Sequence, residues 1–189
     1  MDFRSAVLML LLSAVAVLSS PHGGGDSSGV VGARKLAQAQ DCRGVVAFSG
    51  VSARPAVRVS NATSEEEAAH AALGTKLGFH DLLTDKSVGW SRESGEFTAI
   101  CPGLFQFAFS GTGARFTLFR KEAHSAGEAT TAGEWKAVAS TSDAGGSHVV
   151  LLEMDVGDAV AVWMAPGGQL PSEKDAPTTS FSGYRIAKK

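Results

Sequence analysis

The residue types that perform catalysis in other proteins are present in this chain, but their spacing matches no catalytic motif. Beyond the N-terminal segment the histidines are scattered, and none lies in a His-Glu-x-x-His or a zinc-type Cys/His pattern; they are His70, His80, His124 and His148. No Gly-x-Ser-x-Gly is present, and Gly111-Thr112-Gly113 is followed by no helix start that could hold a phosphate. The sequence therefore predicts no catalytic residue and a protein that is not an enzyme.

Carboxylates are the candidate metal ligands, and they cluster in two predicted loops. Asp155 and Asp158 flank one turn, while Glu173 and Asp175 precede the last predicted strand. Calcium takes about six to eight oxygen ligands, and the chain has no dense run of Asp and Asn that would supply them. We expect solvated turns here and no cofactor; a calcium ion held by loop oxygens is the less favoured alternative.

Two cysteines and one sequon are the candidate sites of covalent modification. Cys42 and Cys101 are too few for a disulfide-rich scaffold, but an even pair in an oxidising compartment is compatible with one bridge. Asn61-Ala62-Thr63 is an N-glycosylation sequon in a polar stretch. We expect a glycan on Asn61 if the chain enters the secretory pathway.

The first residues have the layout of a secretory signal peptide. Arg4 precedes an apolar run over residues 6–18, and the small residues Ser19 and Ser20 follow. That run is shorter than the about 20 residues that a spanning helix needs, so a retained membrane anchor is the less favoured alternative. We predict a signal peptide over residues 1–19 and a secreted, extracellular protein with no membrane insertion.

The remainder of the chain divides into a leader and one domain. Residues 20–43 are rich in Gly, Ser and Ala and predict a flexible leader, which has no Gly-X-Y period and so no collagen stalk. Residues 44–189 suit a single domain. The formal net charge is -2, and no cluster of Lys and Arg is present, so the chain lacks the electrostatic footprint of a nucleic-acid-binding protein.

Short runs of strand-forming residues separated by turns dominate this domain. Phe105, Phe107 and Phe109 recur at every second position, so in a strand they share one face. Other predicted strands cover residues 44–53, 114–121, 134–141, 147–154, 159–164 and 178–186. The polar stretch 55–74 favours one or two turns of helix and a solvated loop equally. The pattern as a whole predicts an all-β sandwich or barrel.

Three blocks of this sequence form a recognisable pattern. They lie at residues 77–110, at 151–160, where Leu151-Leu152 is followed by Gly157-Asp158-Ala159-Val160, and at 179–184. The residues that carry the pattern, with Phe48 of the first strand, are Phe79, Gly89, Trp90, Gly95, Phe97, Pro102, Gly103, Phe105, Phe107, Gly157, Asp158, Phe181, Gly183 and Tyr184. In the correct order, the three blocks resemble the globular head domain of complement C1q.

The resemblance implies a fold and an assembly. The fold is a two-sheet jelly roll of about ten strands, related to that of tumour necrosis factor, in which the phenylalanine face fills the space between the sheets. The assembly is a homotrimer, for which we expect a second apolar face, such as that of Ala159, Ala161 and Trp163 opposite Val160, Val162 and Met164, to be left for a subunit contact.

The same resemblance implies where the two cysteines lie. In the jelly roll the strands of Phe48 and Phe105 are parallel members of one sheet, and the C-terminal strand lies between them. Their starts share one end, so Cys42 and Cys101 can approach and form a disulfide. Free buried thiols and a bridge between trimers are the alternatives.

The expected function is that of a secreted recognition protein. A trimeric head would bind carbohydrate, microbial or protein surfaces, and weak single contacts would gain avidity. The alternative is a ligand of the tumour necrosis factor type that acts on a cell-surface receptor. A secreted all-β hydrolase is a third and weaker hypothesis.

Overall fold

Ten strands and one helix make up residues 42–57, 64–123, 134–172 and 178–189, the part of the chain that the computed structural model describes. The strands are β1 (Ala47–Pro55), β2 (Thr75–Asp85), β3 (Trp90–Ser91), β4 (Glu96–Thr98), β5 (Gly103–Thr112), β6 (Phe116–Lys121), β7 (Trp135–Ser140), β8 (Gly145–Met154), β9 (Ala159–Met164) and β10 (Ser180–Lys188). The helix is α1 (Ser64–Leu73). The predicted signal peptide, the leader up to residue 41, Asn61, His124, Glu173 and Asp175 lie outside the described residues.

The strands form two antiparallel layers. The first sheet has the order β2-β1-β10-β5-β8, and the second has the order β3-β4-β9-β6-β7. Strand β2 belongs to both, because Thr75 and Lys76 pair with β9 before the strand continues along β1. The sandwich is therefore joined along one side by β2, while β7 and β8 lie at the other side. The ten-stranded jelly roll that the sequence predicted is confirmed.

The phenylalanines of β5 fill the space between the sheets, as expected. Phe105, Phe107 and Phe109 are buried, and the residues between them point to the outside of the first sheet. Burial of one such side chain contributes about 1.5 to 3 kcal/mol. The alternation of this one strand thus fixes which face of the first sheet is the core.

Strand β9 is buried on both faces, and here one expectation was wrong. Val160, Val162 and Met164 join the main core. Ala159, Ala161 and Trp163, which we expected to be left for a subunit contact, are instead covered within the chain by a second cluster that includes Phe119 and Trp135, with Leu73 of α1 packed against it. A neighbouring subunit is not needed to remove this face from water.

Residues 64–73 of the polar stretch before β2 form a helix, and residues 58–63 lie outside the described part of the chain. Helix α1 ends at Leu73, and the next residue, Gly74, has a φ of +114°, which residues with a side chain rarely adopt. A Cβ at Gly74 would also lie 2.1 Å from the carbonyl oxygen of Met164. This glycine lets the chain turn from the helix into β2 against the end of β9. No helix among the described residues is long and apolar enough to cross a membrane.

Candidate functional site

Three rows of residues on the outward side of the first sheet form a surface that we call the open face. The register of β1, β10, β5 and β8 places its residues in three rows across the four strands. The rows are Ala47–Tyr184–Gln106–Leu151, Ser49–Ser182–Ala108–Val149 and Val51–Ser180–Ser110–Ser147. None of these side chains is charged. The sequence alternation creates this face, because every inward neighbour is used by the core.

The polar groups of the open face largely satisfy one another. The hydroxyls of Ser49 and Ser182 are 2.9 Å apart, and the equivalent distance from Ser110 to Ser180 is 2.8 Å. The Tyr184 hydroxyl donates to Gln106 Oε1 over 3.3 Å. Because buried polar groups cost free energy only when they lack partners, these rows can be covered by another protein surface at little desolvation cost.

The open face also carries exposed apolar side chains. Val149 and Leu151 on β8 expose 63% and 57% of their surface, and Tyr184 on β10 exposes 43%. Strand β8 is an edge, since β5 is its only partner among the described strands. The uncharged open face, with its exposed apolar side chains on β8, therefore continues directly into an edge that is unpaired among the described strands.

A disulfide closes one end of this sheet. Cys42 and Cys101 are bonded, with their Cα atoms 5.6 Å apart. Strands β1 and β5 are both antiparallel to β10, which lies between them, so they run parallel to each other as the resemblance implied. The Arg185 guanidinium donates through Nη2 to the carbonyl oxygen of Cys42 over 2.6 Å. Strand β10 thus pairs with both strands that follow the bonded cysteines, and its Arg185 also binds the backbone at Cys42.

Asp158 is a structural anion of the turn between β8 and β9. Its carboxylate accepts hydrogen bonds from Arg120 Nη2 at 2.7 Å and from the backbone amides of Ala123 and Asp155 at 2.9 and 3.0 Å. Burial alone raises the pKa of Asp158, but the two amides and the guanidinium outweigh it and hold the pKa below its usual range. The Asp158 carboxylate is thus occupied by hydrogen bonds from three donors of the protein itself. Within the described ranges no group of three His, Cys, Asp or Glu side chains is arranged to hold a metal ion.

The residues that carry the resemblance separate into three structural roles. The aromatic rings that meet in the core are Phe48, Phe79, Trp90, Phe97, Phe105, Phe107 and Phe181. Strand starts and turns hold Gly89, Gly95, Pro102, Gly103, Gly157 and Asp158, and Gly183 lies in β10 between the rings of Phe48 and Phe107. Tyr184 differs from all of these, because it lies on the open face.

Sequence reasoning missed the partners that tertiary structure brings together. Arg120 is 38 residues from Asp158, and Arg185 is 143 residues from Cys42. Sequence reasoning also missed the second aromatic cluster. A signal for it was present, because Phe119 and Lys121, like Ala161 and Trp163, are two residues apart and therefore share one face of their strand. Those residues occupy the outward positions of β6 and β9.

Two antiparallel five-stranded sheets with this order define a jelly-roll sandwich. A family model described as the C1q domain matches residues 59–186. This match covers more than half of the chain, and the chain belongs to the C1q domain family.

The chain is also similar to solved structures at low identity. The globular domain of zebrafish complement 1qA protein is 19% identical, with a TM-score of 0.46 over 76% of this chain and 99% of that one. Murine APRIL is 10% identical, with a TM-score of 0.48 over 75% and 99%. Eiger TNF from S. frugiperda is 12% identical, with a TM-score of 0.39 over 78% and 96%. No curated protein matches the chain.

Proposed function

We propose that this chain is a secreted, non-enzymatic recognition protein that assembles as a homotrimer through the open face and binds carbohydrate, microbial or protein surfaces. The observation that carries the proposal is the exposure of Val149, Leu151 and Tyr184 among three rows of uncharged side chains. Exposed apolar residues on monomeric proteins are normally scattered, whereas a contiguous apolar surface marks an interaction site. The proposal includes cleavage of residues 1–19 and a glycan on Asn61.

The shape of the surface favours a ring of copies over a pair. The open face reaches the edge strand β8, so one molecule presents two different and adjacent surfaces. When one surface binds a different surface on the next copy, the contact is heterologous and forms a closed ring if the rotation allows it. A ring of three, which the family membership also supports, would place the edge of each copy against the open face of the next.

Assembly as a trimer would increase the affinity of the proposed recognition protein for a repetitive surface. Three identical heads present the same loops together, so weak contacts with a repetitive surface add up to tight binding without a deep pocket. Loops on a rigid sheet scaffold are the usual position of binding residues. Recognition therefore needs no catalytic constellation.

The test is a measurement of mass followed by a measurement of binding. Light scattering on the purified secreted protein is expected to give the mass of three chains, and an array of glycans and microbial surfaces is expected to show binding that is lost when the trimer is dissociated. A stable monomer at micromolar concentration would contradict the assembly. A trimer that binds nothing on the array but binds a cell-surface receptor would instead support the alternative, a receptor ligand.

A further inference from the structure

The outward side of the second sheet carries an aromatic cluster that is separate from the main core. The rings of Trp135 and Trp163 are 5.5 Å apart, and Phe119 lies 5.2 Å from Trp163. All three pack above Ala159 and Ala161, whose small side chains leave room for them. We call Phe119, Trp135 and Trp163 the outer cluster. It lies on the opposite side of the sandwich from the open face.

Helix α1 covers the outer cluster with few described contacts. The ring of His70 meets the Trp163 ring edge-on at 5.4 Å, and Leu73 is partly buried against the cluster. Ala68, Ala71 and Ala72 point to solvent. A helix of ten residues is shorter than the about 12 to 15 residues at which isolated helices are even marginally stable, so α1 depends on these contacts to stay folded.

Polar groups around the outer cluster lack the partners that buried groups usually have. Among the described residues, Trp163 Nε1 is buried without a hydrogen-bond acceptor. The ammonium group of Lys121 lies 4.8 Å from the centre of the Trp135 ring and has no carboxylate partner in the described part of the chain. Lys76 lies 5.9 Å from the centre of the Trp163 ring, but its ammonium group is already paired with the carboxylate of Glu96. Among the described residues, Trp163 Nε1 therefore lacks an acceptor and the Lys121 ammonium group lacks an anion.

These groups match the chemistry of an acidic saccharide. Aromatic faces bind the apolar C–H faces of sugar rings, an indole N–H donates to a sugar oxygen, and a carboxylate pairs with an ammonium group. Lys121 is aligned with Ala159 of β9, four residues before Trp163, whose indole N–H lacks an acceptor. That separation is about 13 Å along the strand, which is the scale of a short oligosaccharide rather than of one ring.

We propose that the outer cluster is a binding site for an acidic oligosaccharide and that α1 is its removable cover. The sugar displaces α1, stacks on the tryptophans, accepts from Trp163 Nε1 and pairs its carboxylate with Lys121. This inference deepens the proposed recognition function by naming a ligand class and a position for it.

The first test measures the cover. Hydrogen exchange on the full secreted protein is expected to show the amides of α1 exchanging at least about tenfold faster than those of β9, since a marginal helix opens locally. A hyaluronan tetrasaccharide is expected to accelerate exchange in α1 further and to change tryptophan fluorescence. A neutral N-acetylglucosamine tetrasaccharide of the same length is expected to do neither. Protection of α1 equal to that of β9, with and without the acidic probe, would overturn the proposal.

Paired variants locate the site. Lys121→Gln is expected to weaken binding of the acidic probe about tenfold, as loss of one charge-assisted contact does. Lys136→Gln makes the same change at an exposed position of β7 next to Trp135 and is expected to leave binding unchanged. Leu73→Ala loosens the cover and is expected to tighten binding, which mere damage to the fold would not do. Equal affinity of Lys121→Gln and the unmodified protein would refute the assignment.

The outcomes for the site and for the proposed function are separable. Binding of the acidic probe that depends on Lys121 in a protein that is monomeric by light scattering would support the site and contradict the trimer. A trimer that binds other glycans with unchanged affinity after Lys121→Gln would contradict only the site.

Discussion

The rings of Phe48 and Trp90 stack with their centroids 4.5 Å apart and their planes 5° from parallel. Phe48 belongs to β1 of the first sheet and Trp90 to β3 of the second, so this pair joins the two layers. Phe48 also contacts Phe97 and Phe181 at 5.2 and 5.0 Å. It lies where the aromatic rings of both sheets converge.

Replacing Phe48 is expected to weaken the whole sandwich. Phe48→Ala removes a buried ring and leaves a cavity among rings that cannot all move to fill it, which costs about 3 to 5 kcal/mol of unfolding free energy. Denaturant unfolding followed by tryptophan fluorescence measures the loss. Val45→Ala, at a side chain that is 75% exposed, is the control and is expected to change the unfolding free energy by less than about 0.5 kcal/mol.

Gly183 is expected to tolerate no side chain. A Cβ at this position of β10 would lie 2.6 Å from Phe48 Cε1 and 2.7 Å from Phe107 Cδ1. Gly183→Ala therefore overpacks the core and is expected to cost about 1 to 3 kcal/mol. Thermal unfolding of Gly183→Ala beside Gly167→Ala tests this, because a Cβ at Gly167 meets no atom within 4 Å. Gly167→Ala still loses some stability, because the φ of +75° at Gly167 is unfavourable for alanine. If Gly183→Ala loses no more stability than Gly167→Ala, the packing argument is contradicted.

Asp158 is expected to make stability depend on acidic pH. Because its pKa in the folded protein lies below the unfolded value of about 3.9, the stabilisation is fully present above that value and is lost as the pH falls through the folded pKa. Asp158→Asn removes the carboxylate that Arg120 contacts at 2.7 Å and leaves it only Glu122 at 3.7 Å, and it is expected to cost about 2 to 4 kcal/mol at pH 7. Unfolding free energies of both proteins from pH 7 to pH 2 are expected to converge as the pH falls.

Asp143→Asn provides the matched control for that titration. Its ion pair with Arg115 is exposed, with 83% of the Asp143 side chain in solvent, and such pairs contribute about 0 to 1 kcal/mol. Two outcomes would contradict the role given to the buried carboxylate. One is that Asp143→Asn loses as much stability at pH 7 as Asp158→Asn; the other is that the difference in unfolding free energy between Asp158→Asn and the unmodified protein does not change with pH.

The disulfide is expected to stabilise the fold by restricting the unfolded chain. The bonded cysteines are 59 residues apart, and closing a loop of that length contributes about 4 kcal/mol in the chain-entropy model. The double variant Cys42→Ser with Cys101→Ser is expected to unfold at lower denaturant concentration and to match the unmodified protein after reduction with dithiothreitol. An unchanged midpoint after reduction would show that the bridge contributes nothing.

A single charge on the open face is expected to dissociate the proposed trimer. Leu151→Glu places a carboxylate in the row of the open face that ends at the edge strand β8, where burial against another copy would leave it unpaired. Light scattering is expected to show the mass falling from three chains to one, with the circular dichroism spectrum unchanged. Val156→Glu introduces the same charge at an equally exposed residue outside the open face and is expected to remain trimeric. Trimers from both variants would place the interface elsewhere.

The strands and the inward face of β5 could be predicted from the sequence because they depend on local order. Phe105, Phe107 and Phe109 alternate with smaller residues, and a period of two has one structural meaning in a short segment between turns. Strand β9 was predicted at its observed bounds, 159–164, for the same reason. What covers the outward face of β9 was not predicted. An apolar residue on that face is equally compatible with a contact to a partner subunit and with a contact inside the same chain.

The sequence by itself determined the alternation, the turns and the family blocks, and with them the class of fold. Only the tertiary structure decided that α1 and Trp135 cover the outer side of β9, that Arg120 neutralises Asp158, and that the open face is the surface left bare. The physical reason is that alternation specifies which side chains share a face of a strand, whereas the identity of what covers that face depends on contacts between residues far apart in the chain.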